Sequence, residues 1–262
     1  MNQWMTLFKK EIKESVRNFK WVWIPLVFLL LGIMQPVTSY FLPDILENFG
    51  GLPDGAVINI PLPTGPQVLA ETLGQFSQIG LLVLVLAFMG TVASERNNGS
   101  IIMVLVKPVS YVSYLTAKWA HMTLLALSSF IVGFGLSVYY TFLLIEPVAA
   151  SDVIKGMLIY SLWILFIVTL VLCLSALLKS TAATAFISIG VTIVLNLLSS
   201  FVPDLMRWSP GMLMDHTQLM FHTGGVGEFF LLSILVTVLI IITMMTFTCY
   251  VFQRKEMAIH TT

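Results

Sequence analysis

Residues 93–119 read ASERNNGSIIMVLVKPVSYVSYLTAKW. Glu95, Arg96, Asn97 and Asn98 stand together in a chain that is apolar nearly everywhere else. Six apolar residues follow, Ile101 to Val106, and then Lys107 and Pro108. So short a run cannot cross a bilayer, whose hydrocarbon core of about 30 Å needs about 20 helical residues. The stretch therefore belongs between two spans, at a membrane surface. Gly99 frees the backbone for a turn, Ser100 is placed to cap a new helix, and Pro108 ends it. Tyr111, Tyr114 and Trp119 carry the amphipathic rings that mark re-entry at the interface. An apolar ridge gripped between two spans must be covered by headgroups or by a partner's groove. Moving it moves both helices.

The rest of the chain requires that membrane. Of its 262 residues 58% are hydrophobic and 10% charged, against about 25% charged in soluble domains. Too few charges are present to coat a water-soluble surface. Six stretches are long and apolar enough to span: 21–42, 73–93, 119–145, 154–178, 181–202 and 229–252. Backbone groups cannot stay unpaired in lipid, so these stretches are helices whatever their Val, Ile and Thr content would favour in water. None alternates apolar and polar residues as barrel strands do. The expectation is an all-α polytopic membrane protein, residues 1–262 forming one transmembrane domain. The N-terminus does not read as a cleavable signal, because a long charged segment precedes the first apolar run.

Basic residues set the orientation. Eleven of the thirteen fall at one end of the bundle: Lys9, Lys10, Lys13, Arg17, Lys20, Arg96, Lys107, Lys118, Lys179, Arg254 and Lys255. Only Lys155 and Arg207 fall at the other. This pattern requires an even number of spans and puts both termini in the cytoplasm, with the chain in the cytoplasmic membrane. Residues 1–19 form a further helix. Trp4, Phe8, Ile12, Val16 and Phe19 take one face, and Lys9, Lys10, Lys13, Glu14 and Arg17 the other. Such an amphipathic helix lies in the headgroup layer. On the outer side, the Pro- and Gly-rich loop around 43–72 predicts turns and extended chain. Residues 203–228 are too apolar for a free loop and predict a short helix or re-entrant segment.

Several chemistries have no support. No Asp, Glu, Lys or Arg lies near a span's midplane, which weakens a proton-coupled carrier or a voltage sensor. Pro25 and Pro36 in the first span read as kinks, with a broken-helix ion site as the alternative. No GxSxG, HExxH or CxxC motif is present, and Cys173 and Cys249 read as packing residues. His216 and His222 lie near Asp215 at a spacing that suits no metal site. Gly133 and Gly135 inside a span read as helix-packing positions. Asn196, inside the fifth span, is read as an interhelical hydrogen-bonding residue or, alternatively, a polar contact on a transport pathway. No GxxxxGK[ST] phosphate loop exists. The chain is therefore expected not to be an enzyme and to bind no cofactor itself, and nothing points to a nucleic-acid partner. Any ATP-driven work needs another protein.

The segment SERNNGSIIMVLVKPVSYVSYLTAKW is similar to a pattern of one family, the permease subunits of ABC-2 type transporters. That pattern is E-R-x-x-G-[ST]-x-x-x-L-x-x-x-P-[VL]-S-x-x-x-[YF]-x-x-x-K. Glu95, Arg96, Gly99, Ser100, Pro108, Ser110, Tyr114 and Lys118 occupy the matching positions. Lys107 stands where the family often has a neutral residue. The basic N-terminal helix and the six spans extend the resemblance over nearly the whole chain. The resemblance implies that residues 1–19 are an elbow helix. It also implies that 95–110 is a cytoplasmic coupling helix seated in a separate ATPase. The coupling contacts would be Glu95, Arg96, Gly99, Ser100, Ile101, Ile102, Leu105, Val106, Lys107, Pro108 and Ser110. Two ATPase subunits carrying ATP and Mg2+ would sit beneath two permeases, either two copies of this chain or one copy and a related permease. The function implied is export across the cytoplasmic membrane. Two readings remain beside it: a non-transporting assembly or sensory partner of an ATPase, and a stand-alone secondary carrier.

Overall fold

The computed structural model of the chain describes residues 3–49, 62–99 and 110–259. The protein is all-α, with no strand among the described residues. In chain order the helices are α1 (Gln3–Arg17), α2 (Lys20–Phe49), α3 (Gly65–Gln75), α4 (Leu81–Phe88) and α5 (Ala93–Asn97). Then come α6 (Tyr111–Leu144), α7 (Ala150–Leu177), α8 (Thr181–Phe201), α9 (Pro203–Met206), α10 (Met212–Thr223) and α11 (Phe230–Ile259). Six helical stretches are long and apolar enough to cross a membrane: Lys20–Pro43, Gly65–Asn97, Tyr111–Leu144, Ala150–Leu177, Thr181–Phe201 and Phe230–Arg254.

α7 is the central rod. Two-thirds of its apolar window is buried inside the protein, against about one-fifth for α8 and one-tenth for α11. The two peripheral helices show Phe186, Leu197, Leu231 and Leu239 to the surroundings. That arrangement suits lipid, which is itself apolar, and would fail in water. A chain of aromatic rings fills the middle. Phe76 meets Phe28 at 5.1 Å and Phe130 at 6.0 Å, and Phe130 meets Tyr160 at 4.9 Å. Tilted and edge contacts of this kind hold the bundle without polar groups.

α2 packs most extensively on α6, and two glycines make the approach. A Cβ added to Gly32 would lie 2.1 Å from the Gly133 carbonyl oxygen. One added to Gly133 would lie 2.5 Å from the Phe28 carbonyl oxygen. Gly133 therefore packs as the sequence suggests, but a Cβ on Gly135 would meet nothing within 4 Å. The helix partner is Gly32, which no local pattern singles out. α2 also runs unbroken through Pro25, Pro36 and Pro43, so the prolines make no broken-helix site.

The interruption falls in the second span instead. A π-helical turn, Phe76–Gly80, separates α3 from α4, and residues 89–92 form turns between α4 and α5. Backbone groups freed inside a membrane protein must find partners. Here Ser175 of α7 supplies them: its hydroxyl donates to the Met89 carbonyl at 2.8 Å. It accepts from the Val92 and Ala93 amides at 3.0 and 3.2 Å.

Residues 203–228 hold the short helices α9 and α10, with α10 packed on α7 and α3. Gly224, at φ 69°, ends α10 in the left-handed conformation, where glycine meets no steric penalty. Gly156 of α7 makes room for α10, because a Cβ there would lie 2.2 Å from the Phe221 ring. Gly156→Ala should therefore lower stability by about 1–3 kcal/mol, the usual cost of overpacking. Thermal unfolding in detergent reads this, and Gly156→Ala/Phe221→Leu should recover most of the loss.

Candidate functional site

α1, α5 and α6 meet at the end of the bundle that carries the chain termini. Charged side chains fasten that contact. Lys118 of α6 is buried, 2% exposed. Its Nζ lies 2.9 Å from Glu11 Oε1 and 2.9 Å from Glu95 Oε1. Lys10 Nζ reaches the same Glu95 oxygen at 2.8 Å, and the Tyr114 hydroxyl donates to the other. Glu14 closes the rim at 3.6 Å from Lys10. Two ammonium groups and two carboxylates thus neutralise one another where neither is stable alone. Burial works against the Lys10 ammonium. The hydrogen bond to Glu95 and the charges of Glu11, Glu95 and Glu14 outweigh that and hold its pKa above the usual lysine value.

Carboxylate oxygens of Glu11, Glu14 and Glu95 lie within 4.8 Å of one another and are the residues that could hold a metal. The Lys118 ammonium bonds Glu11 and Glu95 where a metal ion would sit. His216 is buried, and its Nε2 lies 3.4 Å from Ser233 Oγ. Burial lowers its pKa and favours the neutral ring. His222 is exposed. Among the described residues, the two histidines do not belong to a group that could share an ion.

Around this charged knot the other contacts bind the same corner. Arg96 stacks over Phe252 at 5.4 Å. Asn97 Nδ2 donates to the Lys179 carbonyl at 2.9 Å. Gly99 follows α5 at φ 68°, a left-handed position that suits glycine alone. Ser110 is exposed and stands at the N-cap of α6 in extended backbone. Ser100, Ile101, Ile102, Leu105, Val106, Lys107 and Pro108 lie outside the described residues.

α1 differs in detail from the sequence expectation. Trp4, Phe8 and Ile12 are half-buried, whereas Val16 and Phe19 are exposed. Phe19 stands beyond the helix, in the turn to α2, at φ 55°. Trp4 stacks on Phe8 at 5.2 Å and donates from Nε1 to Thr116 Oγ1 at 3.2 Å. The face turned inward is polar and carries the buried residues Glu11 and Ser15. Lys10, read from sequence as a headgroup-facing charge, instead points into the knot. Sequence reasoning missed Glu11 altogether, because an acid on a basic helix face looks like surface decoration. Lys118 was read as a basic residue near a span end and as a position of the family pattern, not as a buried ion-pair partner.

Asn196 does not lie on a helix–helix seam. It lines a separate cavity of about 510 Å³ between the π-turn, α8 and α10.

The fold and its charged corner define a multi-pass membrane protein. Residues 62–258 match the family described as "Protein of unknown function (DUF2705)". The chain is 33% identical over 256 residues to the "Uncharacterized transmembrane protein YxlG" of Bacillus subtilis (strain 168), covering 98% of this chain and 99% of that protein. The chain therefore belongs to the DUF2705 family.

Proposed function

We propose that this chain is the permease subunit of an ABC-2 type exporter, with both termini in the cytoplasm and a separate ATPase supplying the energy. The observation that carries the reading is the Lys118–Glu11–Glu95–Lys10 knot. It fastens the interfacial helix to both flanks of residues 100–109, α5 before and α6 after. A force on that segment would reach α1, the second span and the third span together. Asn97 passes it to the turn before α8, and Ser175 ties the interrupted second span to the central rod. A partner ATPase that changes shape on binding and hydrolysing ATP would thus swing a connected set of helices rather than bend one loop. The resemblance of 94–119 to the family pattern supplies the identity of that motor.

The contact itself would be the apolar ridge from Ile101 to Val106. Replacing Ile102 or Leu105 with Asp should abolish ATPase association, since an aspartate cannot enter an apolar groove without a partner. Membrane insertion should persist. Co-purification of the tagged chain with any phosphate-loop ATPase encoded beside it checks this. Equal recovery of the ATPase with both variants would remove the ridge as the contact, and no recovery with the wild type would remove the exporter reading.

A further inference from the structure

The cavity that Asn196 lines carries three amide side chains and one carboxylate that have no partner among the described residues. Gln78 comes from the π-turn, Asn196 from α8, and Asp215 and Gln218 from α10. Among the described residues, no hydrogen bond or ion pair engages any of the four. Their neighbours behave differently. Thr192 donates to the Ser188 carbonyl at 2.8 Å, Ser77 pairs with the Tyr160 hydroxyl at 2.9 Å, and Ser199 pairs with Ser209 at 3.0 Å. Three of the four hydroxyls in the wall are thus satisfied internally; Ser200 is not, and neither are the amides and the carboxylate that border the open space. The second large cavity, about 420 Å³ beside the charged knot, has its Glu95 and Lys118 already paired.

The wall chemistry selects a class of ligand. Among the described residues, Asp215 is the only ionisable group in the lining, and no Lys, Arg or His lines it. A lone carboxylate beside three amides attracts a cation that carries N–H donors and repels phosphate and carboxylate heads. Leu82, Ile193 and Leu197, each about half exposed, border the same space and offer it hydrocarbon. The volume falls within the range of about 300–1,000 Å³ that small-molecule sites occupy. We propose that this cavity binds an amphiphile with a single cationic, N–H-bearing head, the head between Asp215 and the amides and the apolar body against Leu82, Ile193 and Leu197. The assignment concerns binding by this chain alone, so it stands apart from the exporter reading. If that reading holds, it names the class of cargo.

The test uses the full chain in lipid nanodiscs, titrated calorimetrically with 4-phenylbutylamine, a primary ammonium on an apolar body, with heat from empty nanodiscs subtracted. The expected result is saturable binding of one amine per chain. Asp215→Asn should weaken it about tenfold or more, the loss of the one carboxylate that faces the cation. Gly74→Leu provides the second variant. Gly74 lines the cavity and a Cβ there meets nothing within 4 Å, so the leucine can grow into the space without displacing protein. It should block binding while leaving the unfolding temperature at or above that of the wild type. Unchanged affinity for 4-phenylbutylamine in both variants overturns the proposal. So does equal saturable binding, in competition with that amine, of the anion 8-anilinonaphthalene sulfonate. Neither outcome bears on whether the ATPase co-purifies.

Discussion

Lys118→Met should unfold or strongly destabilise the protein. The substitution keeps the length of the side chain and removes its charge, leaving Glu11 and Glu95 buried with only Lys10 between them. Removing one partner from a buried ion pair costs about 3–5 kcal/mol, because the remaining charge has lost both water and its counterion. The unfolding midpoint in detergent should fall by many degrees, and the yield of monodisperse protein should fall with it. Glu11→Gln added to Lys118→Met should cost much less than Glu11→Gln alone, because the second carboxylate is then a liability rather than a partner. Coupling of about 1–3 kcal/mol between the two positions is expected of residues in one network. Strictly additive losses would mean that Lys118 and Glu11 do not meet as described.

Gly133→Ala should produce the second large loss. Its new methyl group would sit 2.5 Å from the Phe28 carbonyl oxygen and 2.6 Å from the carbonyl carbon. Both are backbone atoms of α2, which cannot turn aside as a side chain can. The helices must separate, so the cost should reach or pass the upper end of the roughly 1–3 kcal/mol typical of overpacked cores. Gly135→Ala, two residues along the same helix, is the matched control. A Cβ there meets nothing, and alanine gains about 0.5–1 kcal/mol over glycine inside a helix. Unfolding midpoints of the two variants should therefore move in opposite directions. Similar behaviour at both positions would contradict the close approach of α2 and α6.

The contrast between those glycines shows what the amino-acid pattern could and could not disclose. Six spans are legible because lipid leaves the chain one choice, the helix, and length alone identifies it. Their ends are less legible. The third span begins at Tyr111 and not near Trp119. The polar residues before Trp119 look like loop, yet Lys118 takes its partners from α1 and α5. The second span reaches back to Gly65, where its amide meets Glu146 Oε1 at 2.8 Å, a contact made across the fold. Gly-x-Gly in α6 looks the same at both glycines. Only the position of α2 separates the one that packs from the one that does not. The charged corner joins residues 11, 95 and 118, and no local period links them. Glu95 was found through the family pattern, as a residue expected to touch a partner, and its carboxylate is instead held by three side chains of this chain. Asn196 was recognised as the odd polar residue of an apolar span. Its cavity depends on α10 folding back against the bundle, and the sequence specified a short helix or re-entrant segment over 203–228 without saying what it would pack on.

The most direct test of an ATP-driven role is hydrolysis by an ATPase that co-purifies with this chain, assayed in nanodiscs with the chain and with its Ile102→Asp variant, across a screen of amphiphilic cargo. Hydrolysis stimulated by one class of cargo, present with the wild type and absent with the variant, is the expected result. An ATPase whose rate is the same with the wild-type chain, with the variant and without either, whatever the cargo, would contradict it.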